Sequence, residues 1–563
     1  MIPICKKNDS KKVENYRPVS LLSNVAKIME KLIFNKLYKY CTDNKILTTH
    51  NSGFKQGDST IYQLTDLVHR LHQCLDNSED TCLVFLDASR AFDRIWHEGL
   101  LHKLHTMGVH GDILEWIRNY LQNRKINVTI EGSTSEAQEV SAGVPQGSIL
   151  GPLLFLIYVN DIVNNLHGTP FLYADDTAIM MPINNLNPNV SFELINQDLN
   201  QLYAWATNWF MCFNPTKTVY MSVTTKRQKP NYPVPQMNNK SLNEVEQHKH
   251  LGVTISSNLT WDNHIDTVVR KANSIIGQLW SLNRHIPRKA LEDIYLTFAR
   301  PILEYGCTIY DNGSASLKKR LEDTQRRAAI ACTRAYCHTK HETLLAELGW
   351  ESLDTRRTFL KLSMFYKIIN NHTPQYLRTL IPTPVNHQHN LSNNLIPQIP
   401  TRLSCFKNSY IPNSIAKWNS LDTEIKERPT YSSFKHALKR QLYHNHRSSL
   451  RSYGYGNGQV NHARIRMGLS GLNQQRFRYN FIDYQSCDKC HHYREDPAHY
   501  FLQCPRYSNQ RQNMLDQLAL VLNLDAIIID ANLLLTGSED PEMDNKHLFK
   551  IVQEYITKTQ RFV

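Results

Sequence analysis

The 563-residue chain lacks any long apolar run: the longest, Ile149 to Val159, has eleven residues and is broken by Gly151 and Pro152. A bilayer-spanning helix needs about 20, so no membrane span is expected. The N-terminus, Met1 to Asp9 with Lys6 and Lys7, is too polar for a secretory signal. The twelve cysteines are therefore read as thiols or metal ligands of a reducing, intracellular compartment rather than disulfide partners. Gly and Pro number only 21 and 23, and with 41% hydrophobic and 20% charged residues this excludes collagen-like repeats and global disorder. Acidic residues are missing altogether from Arg428 to Ile482. That stretch holds ten basic residues (Arg428, Lys435, Lys439, Arg440, Arg447, Arg451, Arg464, Arg466, Arg476, Arg478) of a chain whose net charge is +13. Aromatics interleave with them, among them Phe434, Tyr443, Tyr453, Tyr455, Phe477 and Tyr479. Such a surface can neutralise phosphates and stack bases; a solvated basic linker is the plainer alternative.

Up to about residue 225 the pattern is mixed. Strand-like runs cover Thr81–Leu86, Lys125–Ile130, Pro170–Tyr173 and Thr177–Met181, and helical patterns cover Val25–Tyr40, Thr60–Leu75, Leu114–Leu121, Ile149–Asn165 and Asn200–Phe210. Beyond Trp261 it is helical, over Ile265–Leu282, Arg288–Ala299, Ser316–Ala335 and Leu353–Ile369, until a Pro- and Asn-rich stretch from Thr373 to Pro400 marks a boundary.

Two segments carry the chemistry. Val84-Phe85-Leu86-Asp87 is an apolar strand ending in a carboxylate and leading into Ala91-Phe92-Asp93, and Phe171-Leu172-Tyr173-Ala174-Asp175-Asp176 sets two acids between apolar runs. The natural geometry for the second is a β-hairpin with the acids at its turn, since Asp tolerates turn conformations. Asp87 packed beside Asp175 and Asp176 would be destabilising without a counter-ion. Hard oxygen ligands select Mg²⁺, and two such ions about 4 Å apart suit an in-line phosphoryl displacement. Asp93 and Asp161 are read as ordinary cap or turn residues.

Tyr173-Ala174-Asp175-Asp176 and Phe85-Leu86-Asp87-Ala88-Ser89-Arg90-Ala91-Phe92-Asp93 resemble two catalytic motifs of reverse transcriptases, specifically those of non-LTR (LINE-like, jockey-type) retrotransposons. Supporting stretches occur in that family's order: Asn15 to Leu22, Ser52 to Thr60, Gly143 to Ser148, Asn214 to Thr218 and His250 to Val253. The resemblance implies an α+β, right-hand polymerase: fingers and palm with an antiparallel palm sheet over 1–256, a helical thumb over 257–372, a Pro/Asn-rich then basic connector over 373–480, a CCHC zinc-knuckle-like motif over 481–510 and a helical tail over 511–563. It implies RNA-directed DNA polymerase activity that extends a primer 3′-hydroxyl on template RNA, using dNTPs and Mg²⁺, at a nicked DNA target.

The resemblance also assigns roles. Asp87, Asp175 and Asp176 would hold two Mg²⁺, with Tyr173 beside them; Phe92 would block a 2′-hydroxyl; Gln146 and Gly147 would touch the incoming nucleotide. Arg17, with Lys6 or Lys7, would meet the triphosphate, where a planar fork suits phosphate oxygens. Lys217 would protonate departing pyrophosphate, and Leu251-Gly252 would form the primer grip. Cys487, Cys490, His499 and Cys504 form a closed set suited to one structural Zn²⁺, with His491 and His492 as alternative ligands. Such elements commonly carry an endonuclease ahead of the polymerase; none is read here, so nicking would come from another chain or the gene is cut short. A nuclear location with a cytoplasmic ribonucleoprotein stage is expected. The rival reading is a catalytically inactive nucleic-acid-binding remnant.

Overall fold

The computed structural model describes residues 1–5, 12–88, 90–214, 217–383, 395–443, 456–521, 528–538 and 543–562. Its elements divide into two compact units: residues 1–261 with 365–420, and residues 262–364 with 421–563.

The first unit is built on a five-stranded sheet. Its strands are β3 (Thr81–Asp87), β4 (Thr169–Tyr173), β5 (Asp176–Pro182), β6 (Val219–Val223) and β7 (Asn243–Glu244), in the order β7-β6-β3-β5-β4. Every pairing is antiparallel except β6 with β7. β3 sits in the middle, and its residues Thr81 to Leu86 are buried, which is why it reads as a continuous apolar run rather than an alternating one. A separate hairpin, β1 (Ile2–Cys5) with β2 (Tyr16–Val19), lies outside the sheet.

Helix α1 (Asn24–Asp43) starts where the Ser23 hydroxyl accepts from Ala26 N at 3.1 Å, and α2 (Thr60–Asp76) where Ser59 does the same for Tyr62 N at 3.3 Å. Helices α3 (His97–Thr106), α4 (Asp112–Leu121), α5 (Gly151–Tyr158) and α6 (Pro188–Asn208) complete the core with Val84, Leu154, Ile179 and Leu199. The helix expected over Ile149–Asn165 is shorter. Pro152 starts it, and after Tyr158 the chain turns through Asn160 and Asp161, with Asn165 in the left-handed region at φ 59°. Asp161 does more than cap a turn, because it accepts from buried Lys103 Nζ at 2.5 Å and from Trp205 Nε1 at 3.1 Å. The strand expected over Lys125–Ile130 is two short pieces, Arg124–Ile126 and Thr129–Ile130, that pair with different partners.

The serial order of segments expected from the sequence is not the order in which they pack. Residues 365–420, expected at the end of a thumb and in a connector, fold with the first unit. The Tyr376 hydroxyl donates to Asp58 at 2.7 Å, Arg402 N donates to Asp76 at 2.9 Å, and Phe406 lies against His69 and His72 at 5.3 and 6.2 Å. Residues 384–394, inside the expected boundary, lie outside the described residues.

The second unit is helical, including α7 (Asp262–Leu282), α8 (Ala315–Thr333), α9 (Leu353–Ile369, whose first part belongs here), α10 (Gly456–Arg466), α11 (Ser508–Val521) and α12 (Asn545–Lys558). No described helix in the chain is long and apolar enough to cross a membrane.

Candidate active site

β3 delivers Asp87 at its end. Tyr173 and Asp176 pair across β4 and β5, leaving a two-residue turn, Ala174-Asp175, with Ala174 at φ 59°. A side-chain-bearing residue there is strained, and the segment around Asn51 holds it in place. Asn51 Oδ1 accepts from Ala174 N at 3.3 Å and Gly53 N at 3.0 Å, while Ser52 N donates to Leu172 O at 2.8 Å. A Cβ on Gly53 would stand 2.4 Å from Ala174 N, so only glycine fits. The Ser52-Gly53-Phe54 stretch thus buttresses the acidic turn.

The β3–β5 register sets Asp87 directly opposite Asp176. Partial burial, then the charges of Asp175 and Asp87, push Asp176 above the ordinary carboxylate range. A counter-charge comes from Lys217, whose Nζ lies 3.3 Å from Asp87 Oδ2; it is brought there by Asn214, whose N–H donates to Asp87 O at 3.0 Å. Three carboxylates at the ends of β3 and β5 and in the adjoining turn, with one ammonium beside them, are the hard oxygen donors that a divalent cation takes.

Phe92 follows Asp87 on a short turn, Ala91–Asp93. Half-buried, it stacks on Phe155 at 4.4 Å and meets Phe54 edge-on at 5.9 Å. Gln146 Nε2 donates to Asp93 Oδ1 at 2.9 Å, and the Gln146 backbone carbonyl accepts from Ser20 N at 2.7 Å. Gly147 has φ 110°, and a Cβ there would lie 2.9 Å from Ser20 O, which is why glycine follows Gln146. Arg17 sits on β2, exposed, while Lys6 and Lys7 lie outside the described residues.

Leu251 and Gly252 form the turn between strands β8 (Gln247–His250) and β9 (Val253–Ser256), at φ 45° and 87°. Both central residues with positive φ is the tight hairpin turn whose twist matches its strands. His248 stacks on Phe85 at 4.0 Å, and buried His250 lies 5.3 Å from it, so the turn is anchored to β3, the strand that carries Asp87.

In the second unit Cys487, Cys490, His499 and Cys504 bring their ligand atoms within 4.8 Å of one another. Sγ of Cys504 lies 4.0 Å from that of Cys487 and 3.7 Å from that of Cys490, and Cys490 Sγ lies 3.3 Å from His499 Nε2. A tetrahedral zinc site demands S···S separations of about 3.8 Å, so the donor set fits. The cluster is not a free knuckle followed by a tail: Cys487 and Cys504 share one core with Tyr500 and with Leu518 of α11 and Leu548 and Tyr555 of α12. Buried Glu495 fastens it, accepting from Arg561 at 2.7 and 2.6 Å and from Asn473 N at 2.8 Å.

Residues 4–255 match the family described as reverse transcriptase (RNA-dependent DNA polymerase). The resemblance read from the motifs holds. Over 400 residues the chain is 31% identical to the probable RNA-directed DNA polymerase from transposon BS of Drosophila melanogaster, covering 69% of this chain and 42% of that one. Over 329 residues it is 29% identical to the RNA-directed DNA polymerase from mobile element jockey of the same species, covering 56% and 35%. The chain thus spans less than half the length of these relatives. Among solved structures, apo telomerase from Candida Tropicalis aligns at 12% identity and a TM-score of 0.33, over 63% of this chain and 55% of that one, too distant to bear on the argument.

The structure places Asp87, Asp176 and Tyr173 at one end of strands β3, β5 and β4, with Asp175 in the adjoining turn and Lys217 beside Asp87, and it places Phe92, Gln146 and Gly147 around the turn that follows Asp87. Three contributors were not read from sequence: Asn51, Asp93 and His248. For His248 a signal existed, since His248-x-His250 is the period-2 spacing of one strand face.

The basic stretch divides. Arg466 is spent on the fold, donating to buried Glu347 at 2.6 and 3.0 Å, where Arg288 also donates at 2.8 Å. Burial alone would push Glu347 up, but Arg466 and Arg288 together hold it at about 2. Arg464 donates to Arg334 O at 2.9 Å and caps the Tyr336 ring at 4.7 Å. Arg447, Arg451, Tyr453 and Tyr455 lie outside the described residues. Near the cysteine cluster, Phe477, Tyr479, Phe481, Tyr484 and Tyr493 are exposed, in sequence with Arg476 and Arg478.

Proposed function

We propose that the chain is the RNA-directed DNA polymerase of a non-LTR retrotransposon, a right-hand polymerase whose first unit supplies fingers and palm and whose second supplies a helical thumb and a zinc-bearing nucleic-acid module. The observation that carries this is the register that sets Asp176 opposite Asp87, with Asp175 in the adjoining turn. Asp87, Asp175 and Asp176 would hold two Mg²⁺, which supply charge stabilisation to the attacking and leaving oxygens of an in-line displacement.

The remaining roles belong to the chain. Arg17 pairs with the triphosphate of the dNTP. Phe92, backed by Phe155, excludes a ribose 2′-hydroxyl. Gln146 and Gly147 meet the nucleotide, and Tyr173 flanks it. Lys217, whose ammonium already lies within reach of the acids, gives its proton to departing pyrophosphate. Leu251-Gly252, a turn whose backbone is open to close approach, grips the primer. Cys487, Cys490, His499 and Cys504 would hold Zn²⁺, which would tie the C-terminal core together, and the exposed aromatics with Arg476 and Arg478 bind single-stranded template or target strand. The reaction occurs at a nicked DNA target, the nick being supplied by an endonuclease of another chain or segment.

Primer extension on a primed RNA template, with dNTPs and Mg²⁺, tests this against the Asp175→Ala/Asp176→Ala double variant. Extension by the wild type only is expected. No extension by either protein, with salt-sensitive RNA binding retained, would establish the inactive remnant instead.

A further inference from the structure

Asp93 lies six residues past Asp87 on the same motif, yet it faces a different partner. The segment that carries it is clasped to the loop that carries Gln146. Val144 N donates to Phe92 O at 3.0 Å, Gly143 N donates to Ile95 O at 2.8 Å, and Trp96 bridges Ala142. His97 Nε2 lies 2.8 Å from Gly143 O. The approach is so close that a Cβ on Gly143, itself at φ 84°, would stand 2.8 Å from Asp93 Cα. The far side of the loop is held as firmly: Ser20 N donates to Gln146 O at 2.7 Å, and buried Glu30 accepts from Ile149 N at 2.6 Å while taking the Tyr120 hydroxyl at 2.9 Å.

With both backbones fixed, the side chains meet in a hydrogen bond from Gln146 Nε2 to Asp93 Oδ1, at 2.9 Å. A carboxylate only accepts hydrogen bonds, whereas a carboxamide donates from one edge and accepts on the other. The edge of Gln146 that faces Asp93 must therefore be its NH₂, and the carboxamide is held in one of its two flipped orientations. We infer that Asp93 is a positioning residue that fixes the orientation in which the Gln146 carboxamide meets the incoming nucleotide. This rests on the nucleotide-contact reading of Gln146 given above. It also gives the turn Ala91–Asp93 two roles, since Phe92 on the same turn lies against Phe155 of α5: sugar discrimination and carboxamide orientation are set by adjacent residues.

Steady-state primer extension with varied dNTP tests the assignment. Asp93→Ala is expected to raise the dNTP KM about tenfold with kcat changed less than about twofold. Asp93→Asn, whose carbonyl oxygen still accepts, recovers most of that loss, which a merely structural role would not predict. Gln146→Ala raises KM similarly, and adding Asp93→Ala to it brings no further increase, because the two act as one unit. Asp93→Leu, of similar bulk, replaces alanine if the alanine variant melts at lower temperature. If Gln146→Ala raises KM and neither Asp93→Ala nor Asp93→Leu does, or if the effects of the two sites multiply, the positioning role is overturned and the nucleotide site stands. If Gln146→Ala leaves KM unchanged, or the wild type does not extend, the nucleotide reading falls and the role of Asp93 falls with it.

Discussion

Asp87 and Asp176 are direct cross-strand partners, two carboxylates placed where a sheet ordinarily sets complementary side chains. Like charges in that position destabilise a sheet by a few tenths to about 1 kcal/mol, a cost that the cation proposed for this site would offset. Replacing Asp176 with Asn should therefore separate the two quantities. We expect the variant to melt at or slightly above the wild-type temperature without divalent cation, while extension falls by about two orders of magnitude or more. A variant that melts lower and still extends would refute the assignment of Asp176 to the acid cluster.

How much of this was legible beforehand follows from how local the signal is. β3, the β4–β5 pair and α9 stand close to where their patterns placed them, because each is specified by its own apolar residues. The Asp-Asp turn was legible for the same reason. What escaped depends on distant partners. Nothing near Arg466 in sequence reveals that Glu347, 119 residues earlier, is buried beside it, so it read as surface charge. The role of Gly53 is visible only once Ala174 lies above it. The packing of 365–420 with the first unit rests on contacts between residues far apart in sequence, such as Tyr376 with Asp58, across 318 residues.

The first unit should lose stability in mild acid. Burial holds His69 and His72 at about 4, the charges of His72 and Arg70 adding to the effect at His69 and Asp76 opposing it at His72. In the unfolded chain both titrate near 6.5. Between those values the unfolded state binds more protons, so stability is full above about pH 6.5 and falls as pH drops toward 4, by up to about 1.4 kcal/mol per pH unit for each histidine. Melting curves at pH 7, 6 and 5 should show the fall, and His72→Gln should flatten it. A slope untouched by the substitution would place the acid sensitivity elsewhere.

Metal removal should act on the whole C-terminal core rather than on a knuckle alone, because Cys487 and Cys504 are buried among residues of α11 and α12. Elemental analysis is expected to give one zinc per chain, and Cys490→Ser to lose it. Apparent binding energies for structural zinc are on the order of 10 kcal/mol, so chelation should melt α11 and α12 together, seen as a loss of helical circular dichroism. Full helicity after chelation would show that the core stands without metal.

Arg466 and the pair Arg476/Arg478 belong to one acid-free stretch but should behave in opposite ways. Arg466 shares buried Glu347 with Arg288. Removing it leaves that carboxylate under-neutralised in a buried site, at a cost of about 3–5 kcal/mol. Arg466→Met should therefore lower the melting temperature of the second unit and leave the salt dependence of RNA binding unchanged. Arg476 and Arg478 flank exposed Phe477 and Tyr479, where a guanidinium can reach phosphate and a ring can stack on a base. Arg476→Ala/Arg478→Ala should leave melting nearly unchanged. Each phosphate contact contributes about 0.7 to the slope of log affinity against log salt on a single strand, so losing two should reduce that slope by about 1.4. Titration of single-stranded RNA at several salt concentrations reads it directly. An unchanged slope for the double variant, or a reduced slope for folded Arg466→Met, would reverse the division of labour between them.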